Sequence, residues 1–175
     1  MDLSMLEAMK PMAVTTIVAT GMAASCMPDF NPAEQLDTYF QIQGKTAGKS
    51  IVPLETVEHQ ATVLFDTTPI SFQADALVEM LKDSGKAIQS TKDLTEAYMA
   101  QDLGKMLQLS EKDDEHPEFM IALLDRRNAD WLTKLPAIMN EATSFIAVGA
   151  LHLAGDKGII EGLRKLGYTV TAVNK

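Results

Sequence analysis

The feature of this sequence that most constrains its fold is the order of segments at the C-terminal end. An apolar run with β-branched residues, Ser144–Val148, stops at Gly149. A helical pattern follows at Asp156–Leu166, and a second apolar run closes the chain at Tyr168–Val173. Two short apolar runs joined by a helix predict one βαβ unit, which implies a parallel strand pair with a right-handed crossover.

The rest of the chain has mainly helical periodicity. Apolar residues at helical spacing predict a helical region over Leu3–Ala24 with a break near Pro11, and three or four helices over Val57–Leu109. Between these regions, the apolar run Gly48–Glu55 predicts a buried strand. We therefore expect an α/β fold, which is a helix-rich single domain over residues 1–175 with a small, mainly parallel sheet.

Composition and charge exclude several classes of protein. The chain is 46% hydrophobic and 22% charged, which is typical of an ordinary globular protein. The net charge of -9, without a cluster of Lys and Arg, argues against nucleic acid as a partner. The single cysteine, Cys26, cannot form an intramolecular disulfide, and no Cys/His spacing predicts a structural zinc site.

The N-terminal region imitates an export signal. Met12–Cys26 is apolar and ends in small residues, but the segment before it carries Asp2 and Glu7 against Lys10, whereas a signal peptide has a net positive lead. We interpret it as a buried helix that is too short to cross a bilayer. The sequence predicts no membrane span and leaves the cellular compartment open.

One acidic stretch raises the question of a metal site. Ser110–Glu118 contains consecutive charged residues without the glycines that set tight metal-binding turns. Such a pattern favours a solvated loop over an acidic metal site.

Two polar side chains follow the predicted strands at their carboxyl ends. His152 comes shortly after Val148, and Glu55 closes the earlier strand. Ligands of open α/β folds bind at this edge of the sheet, so we expect both side chains to form one site. Glycines on either side of His152, Gly149 and Gly155, permit unusual backbone angles and the close approach of a ligand. The same spacing is also consistent with a capping or hydrogen-bonding role for His152.

A third candidate, Arg127, follows from helix geometry. Arg127 lies one heptad after Met120, on the apolar stripe that also contains Trp131. Its guanidinium is therefore expected to face inward, with Asn128 on the flank of the same face and Arg126 on the opposite side.

An inward arginine requires an anionic partner, because an unpaired buried charge is strongly destabilising. We expect Glu55 to be the partner of Arg127, unless the anion is a substrate carboxylate. The alternative is that Arg127 extends its stem along the helix edge or donates to loop carbonyls.

Three segments resemble successive motifs of the TraB/PrgY/GumN family, which is related to the TIKI metalloproteases. They are LETVEHQ (Leu54–Gln60), RRNADWL (Arg126–Leu132) and FIAVGALHLAGDKGIIEGLRKLGYTV (Phe145–Val170). MKPMAV near the N-terminus also resembles the Lys-Pro segment that precedes the glutamate motif in bacterial members. The resemblance covers nearly the whole chain and supports the buried helix over the signal peptide.

The resemblance implies a divalent-metal peptidase centre on a fold similar to that of erythromycin esterase and the haem-binding ChaN proteins. The family is described by two Gly-x-x-His motifs with a glutamate between them. By position, Gly149 and His152 match the second such motif, Glu55 matches the glutamate, and Arg127 with Asn128 match an Arg-Asn pair. Glu55 and His152 would be ligands of Mn²⁺, Co²⁺ or Zn²⁺, with Glu55 as ligand or general base. Arg127 and Asn128 would orient Glu55 or bind the charge of the substrate.

The sequence departs from the family pattern at one motif. No Gly-x-x-His precedes Glu55, and the other two histidines, His59 and His116, do not follow a glycine at that spacing. Family members usually have a further segment before this region, so we expect a partial, N-terminally truncated domain. The expected function is a metal-dependent peptide hydrolase of the TraB/GumN type, incomplete or inactive as this chain.

Other functions and partners stay open at this point. A non-catalytic protein that binds a peptide or small ligand in the same crevice is the main alternative, and a haem protein is a third by analogy with ChaN. Family members are often exported or associated with the cell envelope in bacteria. An exposed sheet edge would invite pairing, so we expect a homo-oligomer.

Overall fold

The computed structural model of the protein describes residues 3–27, 31, 35–111 and 117–173. Within these residues the chain is built from ten α-helices, one π-helical segment and one 3₁₀ turn. In chain order they are α1 (Leu3–Glu7), α2 (Pro11–Cys26), α3 (Leu36–Thr46), α4 (Val57–Asp66), α5 (Ile70–Lys82), α6 (Ser84–Met99), α7 (Leu103–Glu111), α8 (Pro117–Met120), the π-helical segment (Ile121–Arg126), α9 (Arg127–Glu141), the 3₁₀ turn (Ala150–Leu153) and α10 (Ile159–Lys165).

The predicted α/β fold is wrong, because the described residues are helical and contain no strand and no sheet. Each of the three predicted strands, Gly48–Glu55, Ser144–Val148 and Tyr168–Val173, lies outside any hydrogen-bonded ladder in these residues. An apolar β-branched run favours an extended backbone, but a strand forms only where a neighbour supplies hydrogen bonds. The expected burial is also absent at Phe145, which is 73% exposed, and at Val173, which is 92% exposed.

The helical predictions are largely confirmed. Pro11 is the first residue of α2, four helices fill the region predicted to hold three or four, and α10 lies inside the predicted Asp156–Leu166 helix. The apolar Met12–Cys26 segment is helical, but none of its side chains is fully buried. In the described ranges, no helix combines the length and apolar character needed to cross a membrane. Of the predicted loop Ser110–Glu118, residues 112–116 lie outside the described residues.

The chain folds as two compact units, Met1–Glu96 and Ala97–Lys175. The single-domain assignment stays a prediction. In the first unit, α2 packs against α5 and contacts α4. A single side chain, Gln73 of α5, connects these three helices. Its Nε2 donates to the carbonyl oxygens of Phe65 (3.0 Å) and Thr68 (2.9 Å), and its Oε1 accepts from the backbone N–H of Met12 (3.2 Å).

The second unit has its core around α9. Trp131 and Leu135 of α9 are buried together with Met106 of α7, Ala122 of the π-helical segment and Ile159 of α10. The 3₁₀ turn packs against α7, α10 and the π-helical segment. This packing brings the turn that carries His152 to the helices that carry the Arg-Asn pair.

Candidate functional site

The π-helical segment positions the first two residues of α9. Ile121–Arg126 runs directly into α9, so Arg127 and Asn128 begin that helix. The wider π turn changes the direction of the side chains that follow it, and such segments occur frequently at functional sites. Arg127 and Asn128 are both buried, whereas Arg126 is exposed. The predicted inward direction of Arg127 is confirmed.

The 3₁₀ turn places His152 against these residues. The backbone N–H of His152 donates to the carbonyl oxygen of Gly149 at 2.9 Å, which closes the turn. Gly149 has an ordinary φ of -58°, so the expectation of unusual backbone angles is wrong there. It holds for Gly155, whose φ is +75° and where a Cβ would lie 2.9 Å from a methyl carbon of Leu107. Glycine at position 155 lets the loop after His152 turn tightly over α7.

Asn128 fixes both the imidazole ring of His152 and the loop behind it. The amide nitrogen of Asn128 donates to the carbonyl oxygens of His152 (3.2 Å) and Lys157 (2.9 Å). Since both amide hydrogens are used in this way, the amide oxygen is the atom that faces the ring. It lies 2.7 Å from Nδ1 of His152, so Nδ1 carries the hydrogen and donates it.

Arg127 lies against the other ring nitrogen. Its Nη1 is 3.1 Å from Nε2 of His152 and also donates to the carbonyl oxygen of Leu123 at 2.9 Å. A guanidinium is always protonated and has only donors, so Nε2 must accept. His152 is therefore assigned as the neutral imidazole, with its hydrogen on Nδ1 and its lone pair directed at Arg127.

Trp131 completes what we call the His152 cluster, defined as Arg127, Asn128, Trp131 and His152. Its ring centroid lies 4.5 Å from that of His152, with the planes tilted by 43°. The guanidinium carbon of Arg127 lies 4.8 Å from the Trp131 ring centroid, which is a cation–π distance. Trp131 is only 4% exposed, and its indole N–H has no hydrogen-bond acceptor in the part of the chain that the structure describes.

Sequence reasoning missed the role of Trp131 and of two loop residues. Trp131 was assigned only to an apolar stripe, although its spacing of four residues from Arg127 places both on one helix face. Lys157 pairs with Asp125 at 2.6 Å, and this contact has no signal in the sequence pattern. Gly158 was overlooked too, although a Cβ there would lie 2.4 Å from the carbonyl oxygen of Ala154.

The structure brings three of the four predicted catalytic residues together: Arg127, Asn128 and His152. The fourth, Glu55, belongs to the first unit, where it is half-buried in the bend before α4. Its pairing with Arg127 and its share in a metal site with His152 stay predictions.

The arrangement of the His152 cluster bears on a divalent metal in two opposing ways. Asn128 holds His152 in the tautomer that a metal-ligating histidine adopts, with the hydrogen on the nitrogen away from the metal. The Nε2 lone pair, however, faces the guanidinium of Arg127 at 3.1 Å, and a cation at this distance opposes a second one. Within the described ranges, no group of three or more His, Cys, Asp or Glu residues is placed to hold a metal ion. His116 lies outside those ranges.

Comparison with known proteins gives one match. A family model described as the TraB/PrgY/gumN family matches residues 1–172. No curated protein and no solved structure matches the chain at a significant level. The matched range spans both compact units and includes Glu55 as well as the whole His152 cluster.

Proposed function

The chain belongs to the TraB/PrgY/gumN family, and we propose that it binds a peptide or small ligand at the His152 cluster. The observation that carries the proposal is the indole N–H of Trp131, which is buried and has no acceptor among the described residues. A buried donor without an acceptor destabilises a fold by about 1–3 kcal/mol. An oxygen atom of a bound ligand would remove this penalty, so the cluster favours the bound state.

The other members of the cluster supply complementary groups. Arg127 contributes a cation on the face of the Trp131 ring, and neutral His152 lies beside it with Nε2 facing the guanidinium. Among the described residues, the side chain of Asn128 forms hydrogen bonds with His152 and Lys157 alone, so it fixes the geometry rather than offering a group to the ligand. A few fixed polar groups beside an aromatic ring are typical of sites that bind small polar ligands.

A second candidate function is the metal-dependent peptide hydrolase that the motifs imply. It is favoured by one specific observation, the 2.7 Å hydrogen bond that holds the hydrogen of His152 on Nδ1. In this candidate His152 and Glu55 would be ligands of Mn²⁺, Co²⁺ or Zn²⁺, and the metal would polarise a peptide carbonyl and activate water. Arg127 would first have to leave Nε2. A haem-binding function depended on the α/β fold, which the helical structure contradicts, and is not proposed.

Calorimetric titration of Mn²⁺, Co²⁺ and Zn²⁺ into the metal-free chain separates the two candidates. The binding function predicts no micromolar metal affinity. Micromolar affinity that is lost in both His152→Ala and Glu55→Ala would support the hydrolase instead, and peptide hydrolysis assays would follow. His59→Ala and Glu58→Ala are matched controls, because both side chains are exposed and lie in the first unit.

The binding function has its own direct test. Trp131 is the single tryptophan of the chain, so its fluorescence reports on the cluster alone. We expect a saturable change when short peptides are added to the unmodified protein. The absence of any saturable response across a library of tripeptides would count against the binding function.

A further inference from the structure

We propose that Ser144–Val148 binds an extended, positively charged peptide as an added β-strand, through hydrogen bonds between the two backbones. The inference rests on the proposed binding function and deepens it by naming the conformation, the charge and the binding mode of the peptide. The chain itself keeps its helical fold, because the ladder forms only when the peptide supplies the second strand.

The segment that does not pair within the chain nevertheless has the geometry of a strand. Ala142 before it has the extended angles φ -159° and ψ 162°, and Gly149 after it has φ -58° and ψ 143°. At positions 145–148 the odd-numbered side chains are exposed and the even-numbered ones are half-buried. Side chains that alternate between two faces are characteristic of an extended strand.

The backbone of this segment lacks the neighbour that a strand requires. Among the described residues, no backbone N–H or C=O group of Ile146, Ala147 or Val148 has a hydrogen-bond partner. A row of unpaired backbone groups on an extended segment is a template for strand addition. In this mode of recognition the backbone hydrogen bonds give the affinity, and pockets for alternate side chains give the specificity.

The position of Ser144–Val148 connects it with the proposed binding site. The segment continues through Gly149 into the 3₁₀ turn that carries His152. A Cβ atom at Gly149 would lie 3.6 Å from Cδ2 of the His152 ring, which is a van der Waals distance. A strand added to the segment would therefore have one end beside the His152 cluster, and peptide carbonyl oxygens are acceptors that the indole N–H of Trp131 can bind.

The other extended segment, Tyr168–Val173, is a poorer template. The carbonyl oxygen of Val170 accepts a hydrogen bond from Nη2 of Arg164 at 3.0 Å, so a side chain occupies a position that a neighbouring strand would need. The segment also follows α10 and does not continue into the 3₁₀ turn.

Charge favours a basic peptide over a second copy of this chain as the added strand. The chain has a formal net charge of -9, so two copies repel each other, whereas a peptide with lysine side chains is attracted. Apolar residues at alternate positions of the peptide would lie on the face of half-buried Ile146 and Val148. The lysines would lie on the face of exposed Ala147.

Calorimetric titration of the unmodified protein with N-acetylated hexapeptide amides tests the binding mode. One probe alternates lysine with valine, and two others carry N-methyl groups, either on every lysine or on every valine. Successive N–H groups of a strand point to opposite edges, so only one methylated set removes hydrogen bonds to the protein. We expect one methylated peptide to bind at least tenfold more weakly than the other. Equal affinities of the two, or no saturable binding of the unmethylated peptide, would overturn strand addition.

A charge-reversed probe tests the class of peptide. Replacement of every lysine by glutamate keeps the length and the valines, and we expect at least tenfold weaker binding at low salt. Equal binding of the two peptides would overturn the positive charge assigned to the ligand.

Amide hydrogen exchange followed by NMR tests the segment. With saturating lysine–valine peptide we expect exchange to slow at least tenfold either at Ala147 or at both Ile146 and Val148, and to stay unchanged at Thr169. Unchanged exchange at all three residues of the segment would overturn the assignment. The same alternating protection without peptide, increasing with protein concentration, would overturn the peptide as the occupant and assign a second copy.

Trp131 fluorescence, recorded with the same peptides, separates this inference from the binding function. A saturable change that both methylated peptides produce at equal affinity would overturn strand addition and leave the binding function intact. Alternating protection of the segment without any change at Trp131 would support strand addition and count against binding at the His152 cluster.

Discussion

Each compact unit contains one buried carboxamide, and the two carboxamides have different kinds of partner. Gln73 in the first unit is fully buried at 0% exposure, and its hydrogen bonds reach only backbone atoms. Asn128 in the second unit is 2% exposed and bonds two backbone carbonyls and one side chain, the imidazole of His152. The same chemical group thus joins segments in one unit and orients an imidazole ring in the other.

The comparison extends to the polar atoms left without partners. In the described residues each unit contains one such buried atom, the hydroxyl of Thr68 and the indole N–H of Trp131. The carbonyl oxygen of Thr68 accepts a hydrogen bond from Gln73, whereas the Trp131 ring packs against the ring of His152 and the guanidinium of Arg127. The unpartnered hydroxyl thus lies next to backbone contacts, while the unpartnered N–H lies next to a cation and an imidazole, where we propose that a ligand binds.

The largest effect is expected for Asn128→Ala. Two of the three hydrogen bonds of Asn128 are buried, and the substitution removes both: the one that Nδ1–H of His152 donates and the one that the carbonyl oxygen of His152 accepts. We expect the free energy of unfolding to fall by about 3 kcal/mol, measured by urea denaturation with Trp131 fluorescence. The proton signal of Nδ1–H should also disappear. A loss below about 1 kcal/mol with the signal retained would contradict the orienting role.

A smaller loss is expected for Gln73→Met, which removes the hydrogen bonds at nearly constant volume. Only the bond to the carbonyl oxygen of Thr68 is fully buried, and water can replace the two that are part-buried. We expect the free energy of unfolding to fall by about 2 kcal/mol. Urea denaturation monitored by far-UV circular dichroism measures this change. The Nδ1–H signal of His152 should be unchanged, and its loss would show that Gln73 is not limited to joining segments.

Helices could be predicted from the sequence because they depend on local spacing. Pro11 begins α2 as expected, since proline fits the first position of a helix, and Arg127 faces inward as its heptad position indicates. Strands could not be predicted in the same way. Ser144–Val148 has the composition of a strand, but pairing depends on a neighbour that a local pattern does not contain. Helical spacing has a limit too: Leu77, Met80 and Leu81 have the spacing of one apolar stripe, which predicts burial, but Leu81 is 55% exposed.

The sequence predicted which residues form the candidate site better than it predicted the contacts between them. His152, Arg127 and Asn128 were selected from position and motif, and they meet in the structure. Their hydrogen bonds depend on how the 3₁₀ turn packs on the start of α9, which sequence spacing does not specify. The pairing of Arg127 with Glu55 stays a prediction, because Glu55 belongs to the other unit. Within the second unit the guanidinium lies against an imidazole and an indole ring.

A gain in stability is expected for Thr68→Val. The hydroxyl of Thr68 is buried without a partner in the described chain, so a methyl group of similar size removes an unsatisfied polar atom. We expect the free energy of unfolding to rise by about 1 kcal/mol in urea denaturation. The neighbouring Thr67 is the matched control, because its hydroxyl donates to the carbonyl oxygen of Val63 at 2.8 Å and Thr67→Val should not stabilise. Equal losses for both variants would mean that water satisfies Thr68.

The smallest effect is expected for Lys157→Ala, which separates two ways of holding the loop behind His152. The Lys157 side chain is 70% exposed and pairs with Asp125 at 2.6 Å, whereas its backbone carbonyl oxygen accepts from Asn128. Exposed ion pairs contribute little, so we expect a change below about 0.5 kcal/mol in the free energy of unfolding and no change in the Nδ1–H signal of His152. A loss above about 1 kcal/mol would show that the ion pair holds the loop, if 1 M salt lowers the free energy of unfolding of the unmodified protein by a similar amount. The expected result would assign the loop to Asn128, whose side chain reaches both the loop and the ring.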